Sequence, residues 1–489
     1  MSNNNELKEA LALVDKELKN KGLSRRDALK VAGLGSATFL MGNTEVEAAS
    51  VAKASDVKAK ILIIGGGLAG ISTAARLSNS LSNPDITVIE PNPKSVSYQP
   101  GNTLIAAGVY TKGDIMYDTK DFVPSGVKVI KDKAIEFDPE NNKVKTQNGE
   151  TFDYDYLIVA AGLKLDFGKI QGLEDIGELT SLGDASKLTS KLKNSGVCSI
   201  YSTDGAVDTW TQMQKLIQDA KAGKNVEAVF THPNTPIKCG GAPKKIMYLT
   251  NSRLEEVGAR KNANLTFYPN GGSMFGVKEY HEAILEQFKA RDFNWHYNHN
   301  LIGVDLEKKI ATFDNFWDEK GEYDPDLEEY DIVTKHKNVE VPYDFLHITP
   351  PMKAPDEIGN SPIGSGKGWV PVNKETLQHV KYDNIFSLGD IAAVPMGKTG
   401  GSVRKQYKVL VDNIISSMEG KALTAKYDGY TVCPLITDIG KVMLAEFDWS
   451  KKPTPSFPLD PTVERYVWWL LKVYMLKPMT QYGMLSGRA

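Results

Sequence analysis

The chain has 489 residues, with 58 Lys plus Arg against 61 Asp plus Glu and a formal charge of −3. That near balance excludes a nucleic-acid binder held chiefly by phosphate contacts. Three cysteines, a small and odd number, exclude a disulfide-built scaffold but leave one redox pair and a spare thiol.

The first residues carry an address. Ser24-Arg25-Arg26 precedes a short apolar run, Val31 to Met41, diluted by Gly and Ala. An arginine pair before such a run has the form of a twin-arginine export signal. Val46-Glu47-Ala48 offers cleavage after Ala48. The run is too short to cross a hydrocarbon core of ~30 Å as a helix. Residues 1–55 are therefore expected to be signal and linker. The expected destination is periplasmic, peripheral on the inner membrane, and oxidising enough for a Cys–Cys bond to persist.

Lys58 to Ile64 reads as a buried parallel strand, a nearly continuous aliphatic run. It enters Gly65-Gly66-Gly67-Leu68-Ala69-Gly70, a G-x-G-x-x-G turn, and a helix with Ile71, Ala74, Ala75 and Leu77 on one face. Gly65 permits the tight turn, Gly67 lets a pyrophosphate reach the backbone, and Gly70 lets helix and strand pack closely. Glu90 follows the next strand, Ile86 to Ile89, where it can accept ribose hydroxyls. This context turns a weak motif into a dinucleotide site, with the phosphates at the helix N-terminus.

Two later segments point to flavin. Phe152 to Gly162 reads as a strand ending Ala160-Ala161-Gly162, after a meander over 134–138 and 143–147. Asn384 to Asp390 is a strand ending Gly389-Asp390. These resemble the second and third signatures of the two-dinucleotide-binding flavoprotein disulfide reductases, whose usual small-Thr-Gly is Ala-Ala-Gly here. The resemblance implies an α/β fold of two Rossmann-like domains, the flavin domain split by the second, and a role for Asp390 at the flavin's ribityl and phosphate region. The expected divisions are 56–165 and 346–425 for the flavin domain, 166–345 for the insertion, and 426–489 for a C-terminal, membrane-facing part.

The insertion has lost its nicotinamide fingerprint. After a strand at Val197 to Tyr201 comes Ser202-Thr203-Asp204-Gly205, without spaced glycines. Branched Thr203 and anionic Asp204 would crowd and repel a pyrophosphate, so NADH is not the expected electron source.

The cysteines stand in distinctive segments. In Thr235-Pro236-Ile237-Lys238-Cys239-Gly240-Gly241-Ala242-Pro243 the two glycines after Cys239 leave its sulfur open, ahead of an expected helix. Tyr427-Asp428-Gly429-Tyr430-Thr431-Val432-Cys433-Pro434 holds another. Both segments resemble the redox-cysteine segments of sulfide:quinone oxidoreductases, the mitochondrial-like branch in particular. Ser97 to Leu104 and Leu444 to Asp448 strengthen the likeness. The resemblance implies a Cys239–Cys433 redox disulfide that hydrogen sulfide opens, FAD as the two-electron acceptor, and ubiquinone or menaquinone as the final one. The opening is thiol–disulfide exchange yielding a persulfide. Relatives that link FAD covalently do so through an early cysteine; none lies between Gly65 and Gly196, so noncovalent FAD is expected.

The remaining candidates follow from position. Cys198, inside a strand, reads as a buried structural thiol. His232 is a candidate for handling sulfide's proton. Lys398 to Gln406 opens a helix after Asp390, and its N-terminal dipole would favour negative charge on reduced flavin. Glu464 to Leu476 mixes Trp, Tyr and basic residues before Pro478, which should break the helix. Such a segment suits a membrane surface and is too short to span one. Phe447 is a candidate wall for a quinone pocket. No metal or nucleic acid is expected, and a homo-oligomer is left open. The rivals are the flavoprotein subunit of a flavocytochrome c sulfide dehydrogenase, a noncatalytic flavin-binding persulfide sensor, and an NADH:quinone oxidoreductase.

Overall fold

The computed structural model describes residues 55–489 apart from 93, 97–98, 182, 325–327 and 367. The arginine pair and the apolar run after it therefore lie outside the described residues, as do Ser97 and Tyr98. The chain forms two compact units. Among the described residues, one takes those up to Gln99, Gly113–Leu163 and Lys353–Ala489; the other takes Pro100–Lys112 and Lys164–Met352.

The first unit begins with β1 (Lys60–Ile64), α1 (Leu68–Ser80) and β2 (Asp85–Ile89). Ile63, Ile71 and Val88 are fully buried, as the aliphatic runs require. β1 pairs in parallel with β2, Ile61 beside Ile86, and β2 pairs with β3 (Lys128–Ile130). A meander follows: β4 (Ala134–Asp138), β5 (Lys143–Thr146) and β6 (Thr151–Asp153). β7 (Tyr156–Val159) then returns to the other side of β1. The single strand expected over 152–162 is thus two. Tyr154 N donates to Asn142 O at 3.0 Å and Asp155 accepts from Lys60 N at 2.6 Å. Those bonds turn the chain between the meander and the sheet.

The second unit holds β8 (Val197–Cys198), α2 (Thr203–Lys221), β9 (Val226–His232), α3 (Ala242–Glu256), β10 (Ala263–Pro269), α4 (Lys278–Ala290) and β11 (Asn294–Trp295). An antiparallel sheet follows, β12 (His299–Asp305), β13 (Ile310–Asp324) and β14 (Glu329–Pro342), before β15 (Phe345–His347). The parallel sheet has the order β8-β15-β9-β10-β11. The first strand is shorter than the expected 197–201. Ser202 caps α2, its hydroxyl accepting from Gly205 N at 3.1 Å, and a Cβ on Gly205 would lie 2.3 Å from Ser199 O. The helix starts so close to the strand that 199–202 must turn. Residues 100–112 belong here too: Asn102 Nδ2 donates to Ile200 O at 2.9 Å, and Gly108 sits against the Trp210 ring.

Back in the first unit, β16 (Ile385–Ser387) completes the parallel sheet in the order β16-β7-β1-β2-β3. α5 (Gly400–Met418) and the antiparallel pair β17 (Thr431–Asp438) and β18 (Lys441–Phe447) follow. The fold is the expected α/β one, a flavin-type unit interrupted by a second Rossmann-like unit. The tail starts as α6 (Tyr466–Leu470) and stays helical, in wide and ordinary turns, through Pro478 to Met484. Pro478 does not break it. The wide turn at Leu471–Met475 has already displaced the i→i−4 ladder, so the missing N–H of proline costs little.

Candidate functional site

The dinucleotide cradle is built by close approach. Gly65 has φ +106°, and a Cβ on Gly70 would lie 1.9 Å from Gly65 O. Gly67 caps α1 with no side-chain hydrogen bond, and a Cβ there would meet nothing within 4 Å. That open space, faced by unpaired N–H groups at a helix N-terminus, is where a pyrophosphate fits. Glu90 is buried at the end of β2, its Oε2 accepting from Gly66 N and its Oε1 from Asn92 N, both at 2.7 Å. Burial raises the Glu90 pKa above the ordinary carboxylate value, and the two N–H bonds oppose that rise.

Two helix N-termini converge on this cradle. Gly389, at φ +75°, would set a Cβ 3.2 Å from Ala69 in the first turn of α1. A Cβ on Gly400, which opens α5, would lie 3.5 Å from Leu68. Gly389 N donates to Gln406 Oε1 of α5 at 2.9 Å, holding the Gly-Asp turn to that helix. Thr399 caps α5, accepting from Ser402 N at 3.2 Å. Lys398 precedes the cap, donates to the carbonyls of Asp390 and Ala392, and lies 3.9 Å over the Trp369 ring. Burial pulls its pKa down to about 8. Gly162 has φ +70° beside open space. Backbone open to a diphosphate, a buried acid for ribose and two positive helix ends fit FAD.

Cys433 is held near the same helix end. It is 4% exposed on β17, opposite Ala445 of β18. Its neighbour Val432 packs so tightly on α5 that a Cβ on Gly401 would lie 2.1 Å from Val432 Cγ1. Ser402 Oγ bonds Thr431 Oγ1 at 3.2 Å. Phe447, at the end of β18, is buried opposite Thr431.

Cys239 lies in the second unit, half-buried, in the turn between β9 and α3. Its φ of +52° is a strained, left-handed conformation for a residue with a Cβ. The turn is fixed by Ala242 N donating to Cys239 O at 2.8 Å. Lys245 Nζ donates to Cys239 Sγ at 3.2 Å, and Lys244 Nζ to Gly240 O at 3.2 Å. Both lysines are buried, 1% and 2% exposed, so little water screens the contact between Lys245 and the sulfur. Lys245 was not singled out in the sequence, although a lysine in the first turn of a helix, six residues after a Cys that Gly-Gly follows, is a readable signal.

His232 ends β9, and its Nδ1 lies 3.1 Å from Pro233 O. Burial, with the Lys244 charge second, pulls its pKa down to about 3, so its ring is neutral near pH 7. Cys198 is fully buried beside His347 of β15, and burial pushes its thiol pKa up. Asp204, in the first turn of α2, is ion-paired with Lys112.

Residues 59–202 match the family model described as pyridine nucleotide-disulphide oxidoreductase. A Mus musculus protein named "Sulfide:quinone oxidoreductase, mitochondrial" is 37% identical over 428 residues, 88% of this chain and 86% of its own length. Its Dictyostelium discoideum namesake is 38% identical over the same shares. The chain belongs to the sulfide:quinone oxidoreductase family. The solved sulfide:quinone oxidoreductase of Aquifex aeolicus has the same fold, with a TM-score of 0.68 at 20% identity over 88% of this chain and 92% of that one.

These sulfide:quinone oxidoreductase relatives overturn the expected twin-arginine export and periplasmic location, because they are named as mitochondrial proteins. An arginine pair before a dilute apolar run is a local pattern of charge and hydropathy, which basic segments addressed to other compartments share. No helix of the described residues is long and apolar enough to cross a membrane.

Proposed function

We propose that the chain oxidises sulfide to sulfane sulfur and delivers the electrons to a membrane quinone, with Cys239 and Cys433 as its redox pair. The observation that carries this reading is the half-buried Cys239 sulfur, 3.2 Å from the Lys245 ammonium, in a member of the sulfide:quinone oxidoreductase family. The pairing of the two cysteines rests on the resemblance of their segments.

In the oxidised protein HS⁻ attacks one sulfur of the pair. A sulfur–sulfur bond forms to the incoming sulfide, the disulfide bond breaks, and the second cysteine leaves as a thiolate. Lys245 stabilises negative charge on Cys239, whether that residue is the leaving thiolate or carries the persulfide. The outer persulfide sulfur then passes to a second sulfide, an external thiol or sulfite. Bound noncovalently, FAD supplies the acceptor for the electron pair, which ubiquinone or menaquinone finally takes. The N-termini of α1 and α5, with Lys398, would hold FAD and offer positive potential to its phosphates and to negative charge on its reduced ring. His232, neutral and bonded to a carbonyl, serves as a hydrogen-bonding neighbour of this loop rather than a proton store.

The tail is the membrane-facing part. Trp468, Trp469, Met484 and Leu485 are buried, while Tyr474 at 50%, Met475 at 37% and Tyr482 at 71% are exposed. Exposed aromatic and thioether side chains beside Lys477 suit the headgroup boundary. Phe447 is assigned to the quinone pocket.

The test is quinone reduction by sulfide, with decylubiquinone as acceptor, in the parent, Cys239→Ser and Cys433→Ser. The parent should turn over and both variants should lose nearly all activity. Activity retained in either variant, or rapid reduction by NADH instead of sulfide, defeats the reading.

A further inference from the structure

The outer strand of the β13–β14 hairpin has an open edge. Among the described residues the sheet order β12-β13-β14 leaves β14 without a neighbour on its far side, and residues 329–338 are all exposed. A long exposed edge is a template for another strand, and charged side chains along it, lysines above all, keep out any strand that does not answer those charges. The strand reads Glu329-Tyr330-Asp331-Ile332-Val333-Thr334-Lys335-His336-Lys337. Two acids precede Val333, and two lysines follow it at the same spacings.

That pattern is complementary to itself. Two identical antiparallel strands with a two-fold axis at Val333 place Glu329 opposite Lys337 and Asp331 opposite Lys335, each twice. Val333 meets Val333 on the same face. On the other face Tyr330 meets His336 and Ile332 meets Thr334. Each strand presents only its alternate, outward-pointing peptide groups, so opposed residues must share parity and the register can move only by moving the axis one whole residue. An axis at Thr334 keeps Asp331 against Lys337 but sets Lys335 against Val333. An axis at Ile332 keeps only Glu329 against Lys335 among the four charges. The charges therefore select one register.

Within the hairpin these charges are not already used. Lys335 lies opposite Trp317 and Lys337 opposite Asn315, and among the described residues none of the four has an ion-pair partner. The other face is tied to β13, with Thr334 bonded to Asp318 at 2.8 Å and His336 to Asp314 at 2.9 Å. An internally bonded ribbon thus presents an antisymmetric row of unpaired charge along its edge.

We propose that β14 is a homodimer interface, in which two copies of the chain pair antiparallel through their hairpin edges about Val333. The experiment uses the full chain with flavin bound, in detergent at low salt, read by analytical ultracentrifugation. An acidic variant carries Lys335→Glu and Lys337→Glu; a basic variant carries Glu329→Lys and Asp331→Lys. The parent should dimerise with rising concentration, and each variant should associate at least about tenfold more weakly. An equimolar mixture of the two variants should regain the dimer, as a heterodimer. Flavin absorbance at the parental level in both shows that each is folded. In a second arm, oxidised Val333→Cys should give a 333–333 link by mass spectrometry, and Asp331→Cys should give much less of its own. A parent that stays monomeric, variants that dimerise as well as the parent, a mixture that does not restore association, or stronger linking at 331 than at 333 each overturns the proposal.

Discussion

Lys245 donates a hydrogen bond to the sulfur of Cys239 at 3.2 Å from the first turn of the helix that follows it. An ammonium at that distance favours the thiolate over the thiol. In reduced protein, Lys245→Met should move the alkylation of Cys239 by iodoacetamide to higher pH and slow sulfide oxidation by about 10- to 100-fold. Lys245→Arg should restore part of both. Alkylation that follows the parent's pH profile in the Met variant shows the contact to be packing alone.

The cradle glycines should separate binding from folding. Gly67 has room for a side chain that the protein itself does not occupy, whereas Gly70 has a carbonyl 1.9 Å from where a Cβ would stand. Gly67→Val should lose most of its flavin absorbance and melt near the flavin-stripped parent. Gly70→Ala should lose folded protein as well. Flavin occupancy unchanged in Gly67→Val removes the pyrophosphate from that position.

Acid should unfold the second unit through its buried histidines. Burial holds His347 at about 3, below the ordinary value of 6.5. Between those values the unfolded chain binds a proton that the folded one refuses. Stability is therefore complete above pH 6.5 and falls as pH drops, by about 1.4 kcal/mol per unit for each such group. His232 contributes in the same direction. His347→Gln, which can still accept from Ile200 N, should flatten the fall in urea midpoint between pH 6 and 4. Equal slopes in parent and variant contradict the assignment.

The tail should bind membranes through few residues. Tyr407 bonds Ala489 O, Asn79 Nδ2 bonds Ser486 O at 2.9 Å, and Met484 lies in the core of the first unit. Truncation before Trp468 should therefore destabilise the protein. Tyr474→Ser, Met475→Ser and Tyr482→Ser together should leave melting unchanged and cut flotation with anionic liposomes several-fold. Undiminished flotation of that triple variant places the membrane contact elsewhere.

Much of the dinucleotide frame was legible from residue order: β1, the glycine turn, α1, Glu90 after β2, and the Gly389-Asp390 turn. The first four follow from local rules, continuity of apolar residues and the steric needs of a tight turn, while the Gly389-Asp390 turn and the choice of flavin came from resemblance to family signatures. The segments around Cys239 and Cys433 stood out only through their resemblance to those of sulfide:quinone oxidoreductases, and the redox role proposed for them rests on that resemblance. Tertiary structure alone decided that residues 100–112 join the second unit, that Tyr154 and Asp155 split one apparent strand into two, and that the chain continues helically past Pro478 to dock on α1 and α5. It likewise decided that the N-termini of α1 and α5 meet through Leu68 and Gly400. Such contacts join residues dozens to hundreds of positions apart. They are set by which buried surfaces and unpaired backbone groups find each other, and no local periodicity records that choice.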